Sequence, residues 1–335
     1  MRVALPSRDP PRPSLPGEGL SGSVWKASLD LVFEVRAGAT VLARKRGFGP
    51  LSVQRVFRPE GRSPSGVVPA HACLLHPPGV LVTGDELETR VELKKGAELL
   101  LTTPGAEKVH RGRPGGGLQT RRFAASLGGD GETLEYLPSE TIVFSGARAE
   151  LSAEFDLGKN SRLIFWNVVT LGREKTGEVF SRGSFSETLS VRRDGVPAML
   201  ERFGVPGADE TGRGREDEES RGGDVRGRAL ASPLALDGKR VFSLFAMVGR
   251  AGNAGDKEAL TRAVAIARET AGASRETFPE RVGATLRETP VAPVFVARSL
   301  GDSVMRAKSH NEALWKVLRP VFLGREPCPP GVWRT

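Results

Sequence analysis

Between positions 148 and 157 the chain alternates without a fault. Ala149, Leu151, Ala153, Phe155 and Leu157 stand on one parity, and Glu150, Ser152, Glu154 and Asp156 on the other. Successive strand residues point to opposite faces, so this is a strand with one face in a core and one in water; it cannot be a helix buried on one side. Leu29, Leu31, Phe33 and Val35 alternate in the same way with Asp30, Glu34 and Arg36. So do Leu87, Thr89, Val91 and Leu93 with Glu88, Arg90, Glu92 and Lys94. RLIFWNVVTLG at 162–172 is nearly all apolar, which predicts a strand covered on both faces at the centre of the body.

The reversals between such strands are written in proline and glycine. From His71 to Arg111 the phrases LLHPPG, TGD and LLTTPG read as strands joined by tight turns, because proline fixes φ and glycine supplies positive φ. Asp194-Gly195 predicts a hairpin between SFSETLSVRR and VPAMLERF. Two helical patterns follow late in the chain. Asp256 can cap one with Leu260, Ala263, Val264 and Ala267 on one face and Gly272 beyond its end. Ser303 can start another with Val304, Ala307, Leu314, Trp315 and Leu318 on one stripe, its end set by Pro320.

The expectation is an all-β fold: a single large β body with about two α-helices near the C-terminus. Residues 1–20 carry five prolines and little to bury, and read as a disordered tail. Residues 21–335 then form one domain, with the charged, glycine-rich stretch 207–228 as a mobile loop. No fixed-period repeat is visible, although a solenoid can lack one.

A formal charge of +9 raises the question of nucleic acid. The basic residues are interspersed with acidic ones, and four tryptophans and one tyrosine offer few stacking platforms, so a surface that docks acidic proteins accounts for the charge equally well. Two distant cysteines, Cys73 and Cys328, make no disulfide framework and fit a reducing compartment. No apolar run approaches the ~20 residues of a spanning helix, and no secretory signal opens the chain. A cytoplasmic protein is expected, with neither membrane nor nucleic acid as partner.

His71, Cys73 and His76 are close in sequence, yet on a strand 71 and 73 face one way and 76 the other, so a structural role outweighs a metal site. A hydrolase would draw its base from His76 or His110, both in turns, and no G-x-S-x-G elbow accompanies them. No P-loop spacing is present. What stands out is a set of acids in glycine- and proline-bounded turns: Asp85, Glu135, Glu140 and Glu178. The plain account of each is a solvated residue or an ion pair, such as Glu178 with Arg173.

Five phrases in order, LLHPPGVLVTGD at 74–85, LLTTPGAEKVHR at 100–111, LEYLPSE at 134–140, GREKTGEVF at 172–180 and the C-terminal W..LRP with PP..W at 315–333, resemble the urease accessory proteins called UreD or UreH. The family's pattern differs at Val80, Thr83, Ser139, His110 and Gly331, while the acidic positions persist. The resemblance implies a β-helix-like or layered-sheet fold and a non-enzymatic urease maturation chaperone. It implies partners UreF, the GTPase UreG and apo-urease, and no tightly bound cofactor: Ni²⁺ is in transit. Asp85, Glu140 and Glu178 become expected contacts along a nickel path, and Trp315, Arg319 and Trp333 expected partner contacts. Carboxylates suit such a path, since Ni²⁺ would be held by imidazole and thiolate but released by oxygen ligands. A hydrolase using a turn histidine and a basic nucleic-acid binder are the alternatives from other classes.

Overall fold

The structure is a computed structural model that describes residues 25–208, 230–272 and 279–334. The proline-rich segment 1–20 lies outside them, as does the charged stretch 207–228 apart from its first two residues, which end a strand. Nineteen strands follow one another in the described residues. The first six are β1 (Lys26–Arg36), β2 (Ala39–Phe48), β3 (Ser52–Val53), β4 (Ala70–Leu75), β5 (Val80–Leu81) and β6 (Glu86–Lys94). The next six are β7 (Glu98–Thr102), β8 (Glu107–Val109), β9 (Gln119–Leu127), β10 (Thr133–Leu137), β11 (Thr141–Val143) and β12 (Arg148–Leu157). Then come β13 (Arg162–Arg173), β14 (Glu178–Val179), β15 (Gly183–Arg193), β16 (Val196–Ala208), β17 (Val241–Val248), β18 (Arg281–Glu288) and β19 (Pro293–Gly301). Two long helices, α1 (Ala254–Gly272) and α2 (Val304–Leu323), complete an otherwise all-β body.

The pairing reveals a repeat that the sequence hides. β4, β7, β10 and β13 lie side by side in parallel. So do β5, β8, β11 and the second half of β13, and β6, β9, β12 and β15. The chain thus makes the same circuit four times, starting at Ala70, Glu98, Thr133 and Arg162. This is a parallel β-solenoid. The spacing of the starts is uneven because the second coil carries the extra turn Gly112–Leu118 before β9, so no fixed period reaches the sequence.

Solenoid ends expose unpaired strand edges and have to be covered. The β1–β2 hairpin extends one long sheet, in the order β16, β15, β12, β9, β6, β1, β2, and β16 closes its other edge. Asp194 and Gly195, with φ of 48° and 79°, make the β15–β16 hairpin expected from their sequence. Antiparallel β17, β19 and β18 extend the second sheet beyond β13.

Between the sheets lies an apolar core with a chain of rings in contact, Phe123 stacked on Tyr136 at 3.9 Å and Phe155 tilted against Phe165 at 4.8 Å. The helices cover the outer side of the second sheet, where Ile164, Phe245, Met247 and Phe295 meet Leu260, Ala263, Leu314 and Trp315. β13 is therefore buried on both faces, which is why its sequence has no polar parity.

Two helix boundaries differ from expectation. Asn253 caps α1, its Oδ1 accepting the Asp256 N–H at 2.9 Å. Asp256 sits in the first turn instead, buried and paired with Arg162 and Arg250. α2 runs past Pro320 to Leu323 and ends at Gly324 in the left-handed conformation, whose N–H bonds to Pro320 O. Gly272 likewise closes α1 as its last residue.

Candidate functional site

The alternation that builds the core fails at two inward positions. On β9 the inward parity reads Gln119, Arg121, Phe123, Ala125, Leu127, and on β15 it reads Phe185, Glu187, Leu189, Val191, Arg193. Register places Arg121 and Glu187 on either side of Leu151, so the solenoid interior holds a cation and a carboxyl two coils apart. Opposite them β8 contributes Glu107, whose Oε2 lies 3.1 Å from Arg121 Nε without the alignment of a hydrogen bond.

Charged groups are tolerated inside because the packing leaves a cavity of about 180 Å³ there. One end is formed by the proline turns: Leu75, His76 and Gly79 of the first, Thr103, Pro104 and Gly105 of the second, Pro138 and Ser139 of the third. Pro104 and Gly105 are exposed, so the cavity reaches the surface at this end. Its inner wall sets the polar Glu107, Arg121, Tyr136, Thr141, Asn167 and Glu187 among apolar residues such as Leu87, Phe123, Phe165 and Leu189. The Arg121 side chain is enclosed by protein yet keeps 19% of its surface accessible, and the surface it exposes faces the cavity. One water needs roughly 10–15 Å³ of such volume, so the space has room for several waters beside the polar residues of the wall.

Burial pushes the Glu187 carboxyl up to about 7, with Arg121 and a hydrogen bond from Asn167 Nδ2 at 2.5 Å opposing that shift. Asn167 is itself held, its Oδ1 accepting the Leu244 N–H at 2.9 Å. Burial lowers His76, against the pull of Glu107 and Asp85, and leaves its Nε2 covered and without a hydrogen-bond partner. Burial also pushes the Tyr136 phenol up to about 12.

The turn acids named from sequence do not meet in this cavity. Asp85 is 2% exposed and accepts the Val82 N–H at 2.8 Å; burial raises its carboxyl, and His76 is its electrostatic neighbour. Glu140 is largely covered and pairs with Lys308 of α2 at 2.8 Å. Glu178 is partly exposed and pairs with Arg173 at 2.8 Å. Among the described residues no three His, Cys, Asp or Glu side chains converge as an ion's ligands would. His71 bonds Glu60 at 2.6 Å, while burial pushes the Cys73 thiol up to about 11.

Two of the three expected partner contacts lie inside the molecule. Trp315 and Arg319 are wholly buried, so neither presents a face to another protein. Trp315 Nε1 donates to Glu135 at 2.7 Å, and Arg319 bonds both Glu135 and Glu60. Arg325 joins Glu135 to Glu98. Trp333 packs against Trp166 and Trp315 and donates to Thr102 Oγ1 at 3.0 Å, keeping part of its surface accessible. These residues fasten α2 and the C-terminal segment to the sheet, a role invisible in sequence because Glu135 lies 184 residues from Arg319.

Arg121 and Glu187 went unnoticed in the sequence, although a signal was there: each is a charge on the apolar parity of a strand.

Comparison with known proteins bears on what the cavity serves. The family model described as "UreD urease accessory protein" matches residues 26–334. A protein of Alkalilimnicola ehrlichii named urease accessory protein UreD is 34% identical over the whole length of both chains. Proteins of the same name from Pseudomonas fluorescens and Azoarcus sp. are each 35% identical over 93% of this chain, covering 95% and 94% of their own lengths.

Proposed function

We propose, from the premise that this chain belongs to the UreD family of urease accessory proteins, that it acts in urease maturation as a non-enzymatic chaperone through which Ni²⁺ passes to the apoenzyme. The observation that carries the reading is the cavity that Glu107, Arg121 and Glu187 share with apolar residues inside the solenoid. Burying a cation and two carboxyls costs stability, which a role beyond folding explains, and carboxylate, hydroxyl and amide oxygens set in the wall are ligands that a hydrated dication can both meet and leave.

In this reading Glu107 and Glu187 are the inner contacts, and Arg121 supplies the positive charge that balances them when no ion is present. Glu187, held near neutrality, gives up its proton as a dication arrives. His76 and its neighbour Asp85 stand near the proline-turn end; Glu140 and Glu178 carry the path along the turns outside the cavity, where exchange with Lys308 and Arg173 keeps their grip weak. The chain docks on apo-urease in company with UreF and, through it, the GTPase UreG, in the cytoplasm. No helix among the described residues is long and apolar enough to cross a membrane.

Co-expression of urease with its other accessory proteins tests this. Omitting the chain should leave urease with little nickel, and restoring it should refill the enzyme. Asp85→Ala, Glu140→Ala and Glu178→Ala should leave the complex assembled while lowering nickel content; full loading without the chain would refute the role itself.

A further inference from the structure

The side of the solenoid next to the cavity carries a second surface. β5, β8, β11, the end of β13 and β14 form a narrow band, with Leu81, Val109, Val143, Leu171 and Phe180 buried beneath it. Along its outside run Val82, His110, Phe144 and Val179. Val82 and Val179 are 40% and 62% exposed. His110 stacks on Phe144 at 4.6 Å, and the Arg173 guanidinium lies 4.8 Å from the same ring.

Around this row stand Lys108, Arg111, Arg113, Arg148, Lys175 and Arg182, all exposed, and none of them forms an ion pair among the described residues. The neighbouring carboxylates are already engaged: Glu86 with Lys26 at 2.9 Å, Glu140 with Lys308 at 2.8 Å, Glu178 with Arg173 at 2.8 Å. Among the described residues this charge is uncompensated.

Backbone geometry fixes where these arginines stand. The Gly112 N–H donates to Gly146 O at 2.8 Å, and the Gly146 N–H to Arg182 O at 2.8 Å, so Arg111, Arg148 and Arg182 come from successive coils. Neighbouring coils are about 4.8 Å apart. The Arg111 stem crosses Gly146, where a β-carbon would come within 2.7 Å of its Cγ, and the Arg148 stem passes 3.7 Å from the equivalent point on Gly112. A mobile loop would let like charges spread apart; these corners hold them in a row.

We infer that this face docks an acidic protein, whose carboxylates meet the arginine row and whose apolar residues cover Val82, Phe144 and Val179. An apolar centre ringed by arginine is the composition of a protein interface, and like charges held close are relieved by a surface of opposite sign. Nucleic acid fits less well: the only rings in the row are already stacked on each other and on Arg173, which leaves valines where bases would need platforms. The inference rests on the maturation role to the extent that the partner belongs to that assembly.

Immobilised full-length chain, probed by interferometry with purified apo-urease, with UreF and with a DNA duplex at low and high salt, tests it. Arg111→Glu with Arg182→Glu should weaken binding of one of the two proteins about tenfold or more, at an affinity that in the wild type falls with salt. Val179→Asp should weaken the same partner. Lys45→Glu with Arg46→Glu, an equal change of charge on β2, should leave binding within about twofold, with thermal melts confirming that every variant is folded. Unchanged binding of both proteins by the arginine and valine variants overturns the proposal, as does a loss seen for DNA alone. If the wild type binds neither protein, the maturation role fails and this inference falls with it; if it binds and the variants bind equally, only the inference fails.

Discussion

Two carboxylates of one heptapeptide, LEYLPSE, end in different surroundings. Glu140 faces the border of the molecule beside Lys308, whereas Glu135, 1% exposed, accepts from Trp315, Arg319 and Arg325. Removing one partner of a buried ionic cluster leaves the others uncompensated, so Glu135→Gln should cost about 3–5 kcal/mol in urea unfolding. Glu60, in the same cluster, would be raised by burial, but hydrogen bonds from His71 and Arg319 hold its carboxyl down to about 2 from 4.5. A carboxyl lowered on folding stabilises the fold while ionised, so that stability is present above about pH 4.5 and is lost as pH falls toward about 2. Glu60→Gln should flatten the acid limb of a pH–stability curve over that window. Glu187 runs the other way. Its folded value of about 7 lies above the ordinary 4.5, so the wild type loses stability as pH rises through that interval, and Glu187→Gln should melt higher than wild type at pH 8 but not at pH 5. These roles were not legible in sequence: Glu135 reads as a turn acid there but lies on β10, Glu60 and Glu187 attracted no notice, and their partners come from elements far along the chain.

Elements were the most legible level. Strict alternation placed β1, β6 and β12, an apolar run placed β13, and Asp194-Gly195 placed a hairpin. The family resemblance left a β-helix-like body and layered sheets both open, and periodicity could not choose between them because the coils differ in length: a repeat made of unequal loops is visible only through pairing. The solenoid's corners nonetheless leave chemical traces. Gly183 has φ of 91°, and a β-carbon there would lie 2.1 Å from Ala147 O, a backbone atom that cannot yield. Gly183→Ala should therefore destabilise by well over the ~1 kcal/mol of a compatible glycine replacement, read by thermal melting. The start of α1 was misplaced by three residues because Asn253 and Asp256 are both good caps, and the arginines that claim Asp256 belong to β13 and the loop after β17. Asn253→Ala should cost about 1 kcal/mol.

At the scale of the whole molecule, four coils and their caps build a body whose core between the sheets is apolar except where Arg121, Glu107 and Glu187 line a cavity. A globular protein that needed only stability would fill that space with leucine. We read this space as a passage whose grip on a metal ion is kept weak. Its most direct test is the nickel content of urease matured in the presence of a Glu107→Gln, Glu187→Gln chain, measured by mass spectrometry on complexes shown to be intact. The passage predicts normal assembly with nickel well below the wild-type level; urease filled to the wild-type level by that chain would contradict it.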